Sequence, residues 1–251
     1  MGKDSEVAAI VLAAGKGVRM RSKKVNKVMI PLSGRPMIAY TADLLRKLKI
    51  QTVAVVIGFA KDSVKNFLGP GYLYAEQKKR LGTAHATGCA LKKIPRRFRE
   101  ILVLNGDDSA FYTPAIIKKL IEKHHQKKSG LTLLTIETEN PRGLGRILRD
   151  KKGKVLGIVE EKDATSSERK IKEVNPACYI FERRFLEKYL PRIKKSPASG
   201  EYYLTDLIGL GIDHREKVEA FKTKDIFWRG VNTWQELHQA EKMMKRLKDG
   251  N

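Results

Sequence analysis

The sequence predicts an α/β protein: a mixed, mostly parallel sheet flanked by helices, joined to a smaller antiparallel lobe. Three observations lead there. "VAAIVL" (Val7 to Leu12), "TVAVVI" (Thr52 to Ile57) and "ILVLN" (Ile101 to Asn105) are short continuous apolar runs, the pattern of strands covered on both faces. Segments of helical period alternate with them, as βαβ units require. From Leu131 to Phe181 the texture changes to strand-like pieces separated by turns, which predicts more antiparallel pairing. At 251 residues the chain suits a single domain, 1–251, in which about 1–130 and 215–251 form one part and about 131–214 the other.

Taken in order, the first strand runs into "LAAGKGVRMRSKKVNKVMIPLSG" (Leu12 to Gly34), where Gly15 and Gly17 stand among Lys16, Arg19, Arg21, Lys23, Lys24 and Lys27. After Pro36, well suited to a first helical turn, Met37, Tyr40, Thr41, Leu44, Leu45 and Leu48 fall at helical spacing. Thr113 and Pro114 read as an N-cap and first-turn pair ahead of Ile116, Ile117, Leu120 and Ile121. Gly106 to Tyr112 must then be the loop between a strand end and that helix, which puts Asp107 beyond the carboxyl end of a strand. "LTLLTIE", "GRILRD", "VLGIVEEKD" and "EVNPACYIF" read as strands, with "DKKG" as a hairpin turn. Near the carboxyl terminus "TWQE" reads as a capping box of Thr233 with Glu236, opening a helix whose Leu237, Ala240, Met244 and Leu247 share a face. Asn232 sits at the junction before it.

Composition narrows the function. The 51 Lys and Arg against 28 Asp and Glu give a net charge of +23, a surface that attracts anions. The dense runs "KKIPRRFR" and "KKLIEKHHQKK" carry few aromatic residues and no helix-turn-helix, zinc-finger or RNA-recognition signature, so no specific nucleic acid is expected as a partner. Cys89 and Cys178 are isolated and signal neither a zinc site nor a disulfide framework. The longest apolar runs are far short of the ~20 residues of a membrane-spanning helix, and no export signal is visible, so a cytoplasmic location is expected.

A strand, a glycine-rich turn and a following helix are the parts of a nucleotide-phosphate site. Two common patterns are absent: there is no G-x-x-x-x-G-K-[ST], and G-x-G-x-x-G fails because Met20 holds the third glycine's place. Glycines still let backbone N–H groups approach an anion, and Arg19 and Lys27 can follow the phosphates.

"LAAGKGVRM" followed by "NKVMIPLSGRPMI" resembles the signature of sugar-1-phosphate nucleotidylyltransferases. The likeness continues in order through "QKKRLGTAHA" (Gln77 to Ala86), "VLNGD" (Val103 to Asp107), "GLGRILRD" (Gly143 to Asp150), "IVEEKDAT" (Ile158 to Thr165), "EVN" (Glu173 to Asn175), "EYYLTDL" (Glu201 to Leu207) and "GVNTWQEL" (Gly230 to Leu237). It covers about Val7 to Lys245 and is greatest to the uridylyltransferases that make UDP-N-acetylglucosamine.

The resemblance implies a Rossmann-like nucleotide-diphospho-sugar transferase fold and a reaction in which a sugar 1-phosphate attacks the α-phosphorus of UTP and pyrophosphate leaves. It implies Arg19 and Lys27 as catalytic phosphate-holding residues, and Asp107 and Asn232 as ligands of Mg²⁺. Leu12, Ala13, Ala14, Gly15, Lys27, Gln77, Gly82 and Thr83 would form the nucleotide site, with Gln77 and Gly82 choosing the base. Gly145, Glu160, Asn175 and Thr205 would surround the sugar. His85 is expected to be a packed or capping residue without chemistry.

Each of these residues also has a structural use. Asp107 and Asp108 suit a turn, Asn232 a helix entry, Asn175 before Pro176 a turn, and Glu160 a solvated strand end. Departures from the family pattern bear on substrate choice: Val18 replaces Thr, Asn26 replaces Pro, "DDSAF" replaces V-P-L after G-D, and "PACY" replaces T-G-x-Y. Another sugar 1-phosphate or dTTP is therefore kept as an alternative, and a non-catalytic binder of nucleic acid or anionic membrane as a second. An acetyltransferase repeat, which the resemblance associates with bifunctional members, is not expected here, and a monomer or weak homodimer is expected.

Overall fold

The computed structural model describes residues 7–17, 20, 25–161, 163–197, 199–224, 228 and 230–249. Among them, ten strands form one sheet. Its parallel part is β1 (Val7–Ala13) between β4 (Val53–Ile57) and β6 (Glu100–Asn105), with β5 (Leu73–Glu76) outside β4. The registers place Leu12 beside both Val56 and Asn105.

The predicted antiparallel region extends the same sheet. β11 (Cys178–Glu182) runs antiparallel to β6, and β7 (Leu131–Glu137) antiparallel to β11. β10 (Glu173–Val174), β8 (Arg146–Arg149) and β9 (Val155–Val159) continue it outward, and β12 (Val218–Thr223) joins β7 in parallel. A separate two-stranded ribbon pairs β2 (Pro31–Leu32) with β3 (Arg35–Pro36). "EVNPACYIF" is two strands. Proline lacks the N–H a ladder requires, and Ala177 after it turns to φ 56°, so the pairing is interrupted at 175–177.

The strand period of two splits the core between the faces. Val7, Ala9 and Val11 of β1 and Leu102 and Leu104 of β6 join one apolar cluster, while Ala8, Ile10, Ile101 and Val103 join the other. Helices α1 (Met37–Lys47), α2 (Lys61–Leu68), α4 (Pro114–Lys127) and α7 (Trp234–Asp249) supply side chains to the first cluster. Helices α3 (Thr83–Leu91), α5 (Arg183–Tyr189) and α6 (Asp206–Asp213) supply the second. The sheet therefore needs apolar residues at consecutive positions, which explains the unbroken runs read from the sequence.

The predicted caps are in place. Thr113 Oγ1 accepts from Ile116 N at 3.3 Å, with Pro114 in the first turn of α4. A cap of this kind is worth about 1 kcal/mol. The "DKKG" turn closes β8 onto β9: Asp150 Oδ1 accepts from Lys152 N at 2.9 Å and Lys154 N at 2.8 Å. Among the described residues no helix is long and apolar enough to cross a membrane.

Candidate active site

A cavity of about 490 Å³ opens at the carboxyl ends of β1 and β6, the edge where open α/β sheets bind ligands. Its floor is the end of β1, with Leu12, Ala14 and Gly15. Gly17 lies at φ 66°, and a Cβ there would come within 3.0 Å of Lys27 Cβ, so glycine admits the lysine to this turn.

Lys27 is presented by a short 3-10 turn, Lys27–Met29, that Asn26 organises. Asn26 is fully buried. Its Nδ2 donates to Ala13 O at 2.9 Å and Phe59 O at 2.7 Å, and its Oδ1 accepts from Val28 N at 3.1 Å. One amide side chain thus ties the ends of β1 and β4 to the turn bearing Lys27. A proline would supply none of these bonds.

The Lys27 ammonium lies between two oxygens. It pairs with the Asp107 carboxylate and donates to Asn232 Oδ1 at 2.9 Å. Asp107 follows Gly106, whose N–H donates to Leu12 O at 3.0 Å and whose carbonyl accepts from Thr41 Oγ1 at 3.3 Å. Asn232 is placed by the capping box: Glu236 Oε2 accepts from Asn232 N at 2.7 Å and Thr233 N at 2.9 Å, and Thr233 Oγ1 accepts from Glu236 N at 3.2 Å. Beside Asp107, the Asp108 carboxyl is pushed up to about 7 by burial and by the Asp107 charge, an effect that Lys27 and the Asn105 hydrogen bond oppose.

On the other wall stand Gln77, Gly82 and Thr83. Gln77 follows β5, and its backbone N–H donates to Ile57 O at 2.8 Å. Its Nε2 donates to Gly82 O at 3.0 Å. Gly82 is at φ 94°, and a Cβ would meet Tyr202 O at 2.4 Å, so only glycine lets residues 81–84 pack against 201–204. That packing is held by Tyr202 N to Leu81 O at 2.8 Å and Ala84 N to Tyr202 O at 3.0 Å. Leu204 N also donates to Thr83 Oγ1 at 2.9 Å.

The four sugar candidates gather separately, beside a second cleft of about 760 Å³ lined by Glu160 and Thr205. Thr205 Oγ1 lies 3.5 Å from Glu160 Oε1, a long contact. Asn175 N donates to Gly145 O at 3.1 Å, and a Cβ on Gly145 would sit 2.9 Å from Ile158 Cγ2 and 3.5 Å from Glu160 Oε1. The Glu160 carboxyl is held above the usual range, chiefly by partial desolvation, with Asp206 and Asp163 adding to it. The Asn175 amide is engaged internally: Nδ2 donates to Tyr179 OH at 2.5 Å and Oδ1 accepts from Ala177 N at 3.1 Å.

The structure thus brings Leu12, Ala14, Gly15, Lys27, Gln77, Gly82, Thr83, Asp107 and Asn232 around one cavity. Ala13 packs into the core instead, and Arg19 lies outside the described residues. The cavity also includes Lys16, Arg80, Asn105 and Glu201, which the sequence does not mark as site residues, and Asp108, which it marks only as suited to a turn. Lys16, Arg80, Asn105 and Glu201 all stand inside the family-like motifs, the signal that could have found them. Asn26 gave none, because its partners Ala13 and Phe59 are defined only by the fold.

Comparison with known proteins bears on the family and the fold. A family model described as nucleotidyl transferase matches residues 8–246. The chain is 40% identical over 239 residues to the bifunctional protein GlmU of Staphylococcus saprophyticus, covering 95% of this chain and 52% of that protein. It is 41% identical over 239 residues to GlmU of Caldicellulosiruptor saccharolyticus, covering 94% and 51%. The chain thus spans about half the length of these curated relatives. A Bacillus anthracis crystal structure, assigned as a glucose-1-phosphate thymidylyltransferase in complex with a sucrose, superposes with a TM-score of 0.81 at 23% identity, covering 94% of each chain, a likeness of fold. The match runs over nearly the whole sequence: the chain belongs to the nucleotidyl transferase family.

Proposed function

We propose that the chain transfers UMP from UTP to N-acetylglucosamine 1-phosphate, with Mg²⁺, releasing pyrophosphate. The observation that carries this reading is the convergence of Lys27, Asp107 and Asn232 at the cavity. The ordered motifs and the GlmU relatives support uridylyl transfer within the family.

In the reaction an oxygen of the sugar 1-phosphate forms a bond to the α-phosphorus of UTP. The bond from that phosphorus to the oxygen bridging to the β-phosphate breaks, and pyrophosphate leaves with the electron pair. Both reactants are anions, so the chain must offset repulsion and hold the attacking oxygen in line. Lys27 supplies a positive charge where phosphate oxygens would gather, and Lys16 and Arg80 add two more at the cavity wall.

The donor set fits a hard cation. A carboxylate and an amide oxygen converge on the Lys27 ammonium, so two oxygen donors already share one positively charged neighbour. Asp107 and Asn232 would hold Mg²⁺, and Lys27 would then be released towards phosphate. The ion would supply neutralisation of phosphate charge. Among the described residues no group of three or more His, Cys, Asp or Glu side chains is placed to hold a metal, so phosphate and water would complete the coordination.

One observation favours a second reading, transfer to a different sugar 1-phosphate. The Asn175 amide is committed to Tyr179 and Ala177, which leaves the sugar to be selected by Glu160 and Thr205, groups suited to hydroxyls in general. A panel of UTP, dTTP, CTP and ATP against N-acetylglucosamine, glucose and galactosamine-type 1-phosphates, with products identified by mass spectrometry, separates the readings. UTP with N-acetylglucosamine 1-phosphate should give the highest kcat/KM. A clear preference for glucose 1-phosphate would establish the second reading, and a preference for dTTP would overturn the choice of base.

A further inference from the structure

We infer that His85, together with Gly82 O, fixes the orientation of the Gln77 amide, and so presents an acceptor to the nucleotide base. The inference rests on the reading in which Gln77 faces the base.

The hydrogen bonds determine the arrangement. Gly82 O can only accept, and Gln77 Nε2 lies 3.0 Å from it, so the amide nitrogen must occupy this side. The same nitrogen lies 3.0 Å from His85 Nδ1. An amide nitrogen has hydrogens and no lone pair to offer, so His85 Nδ1 must accept. His85 is therefore neutral with its proton on Nε2, which faces Cys89 Sγ at 3.9 Å, one turn further along α3. Both hydrogens of Gln77 are committed, one to Gly82 and one to His85, and Oε1 is left as the amide's group for a ligand.

Gly82 O alone would be a weak guide. It already accepts from Ala86 N at 3.1 Å, and Gln77 Nε2 is its second donor. An amide held by one bond can rotate until nitrogen and oxygen exchange places, because the two ends are nearly equal in size. A second partner on the nitrogen's side raises the cost of the exchange: with the ring proton on Nε2 it would set Oε1 against two acceptors at once, and relieving that would require the proton to move to Nδ1, away from the Cys89 contact. His85 supplies that acceptor from the rigid first turns of α3, while Gln77 comes from the loop after β5.

The orientation has a consequence for base choice. Uracil and thymine carry a donor at N3–H, flanked by two carbonyl acceptors, and N3–H matches Oε1. Cytosine has a bare N3 there, so two acceptors would face each other, the kind of mismatch by which polar sites reject analogues strongly. Thymine differs from uracil only by a methyl group and is not separated by this amide. His85 is a positioning residue, acting through Gln77 without touching the nucleotide.

The test compares Gln77→Leu, His85→Phe and His85→Asn with wild type, reading KM and kcat for UTP and CTP, with thermal melts for each protein. Asn is the conservative variant, because its Oδ1 can stand near the Nδ1 position and accept. If the inference holds, His85→Phe raises the KM for UTP about tenfold, lowers the UTP over CTP preference by a similar factor and leaves kcat at saturating UTP nearly unchanged. His85→Asn restores most of the preference. An unchanged preference in a folded His85→Phe, while Gln77→Leu loses it, overturns the role of His85 and leaves the reading of Gln77 intact. A Gln77→Leu variant with wild-type KM and preference removes the underlying reading, and the inference with it. Should His85→Phe fail to fold, failure of folded His85→Asn to keep the preference overturns the inference as well.

Discussion

The Lys27 ammonium lies 2.9 Å from Asn232 Oδ1, 205 residues further along the chain, and the same ammonium pairs with Asp107. Segments from early and late in the chain therefore meet over the carboxyl edge of the sheet, at a point where one cation is shared by two oxygens. Replacing Lys27 with Met removes the positive charge and leaves the length of the side chain. The expected result is a fall in kcat of about a hundredfold to a thousandfold, with the melting temperature little changed. Steady-state kinetics beside a thermal melt checks it.

Asn26 predicts a different outcome. Its side chain is fully buried and makes three hydrogen bonds, and Asn26→Ala leaves the Ala13 and Phe59 carbonyls without that donor. The loss should be about 2–4 kcal/mol of stability, read by denaturant unfolding, together with a drop in kcat as the turn carrying Lys27 loosens. A loss of stability with unchanged kcat would separate Asn26 from the site.

The capping box joins helix stability to the site in a similar way. Glu236→Ala removes the acceptor for Asn232 N and Thr233 N. It should cost about 1 kcal/mol of stability and lower kcat, with the larger effect on kcat because Asn232 loses its fixed backbone. Glu236→Gln keeps an acceptor and should recover most of both.

Glu160 separates the sugar from the nucleotide. Glu160→Gln should raise the KM for the sugar 1-phosphate about tenfold and leave that for UTP within about twofold. Equal effects on both substrates would argue that the second cleft does not hold the sugar.

His124 gives a pH dependence with a defined sign. It is buried, its Nδ1 lies 3.0 Å from Thr132 Oγ1, and burial, aided by His125, depresses its pKa from 6.5 to about 4. As pH falls below about 6.5 the unfolded chain takes up a proton that the native protein refuses until about 4. Stability supplied by this site is therefore lost on acidification across that window. Other groups titrate there, Asp108 among them with the opposite sign, so the quantity to read is the difference between wild type and His124→Gln. The wild-type advantage should shrink from pH 7 to pH 4. Parallel curves would contradict it.

Much of this was legible in the sequence because β1, β4 and β6 are buried on both faces and announce themselves as unbroken apolar runs. Thr113 and Thr233 mark helix starts by side chains that bond within the next turn, which is local chemistry. α3 was hidden for the opposite reason. "TAHATGCAL" begins after Gly82 without a side-chain cap, and small residues around most of its surface leave little contrast between faces. β12 pairs with β7 across more than 80 residues, and nothing local to either strand records that choice. At the site, Lys27, Asp107 and Asn232 were legible through their motifs, whereas Asn26 and His85 act on partners that only the fold brings near. Ala13 shows the limit of a motif: it stands in the same stretch as Ala14 and faces the other way.

The most direct measurement is pyrophosphate release from UTP in the presence of Mg²⁺ and N-acetylglucosamine 1-phosphate, comparing wild type with Asp107→Ala. Release should require both substrates and fall at least about a hundredfold in Asp107→Ala, with the fold retained. Release at the wild-type rate from Asp107→Ala would contradict the role given to the clamp. No release by wild type from any nucleotide and sugar 1-phosphate pair would contradict nucleotidyl transfer by this chain.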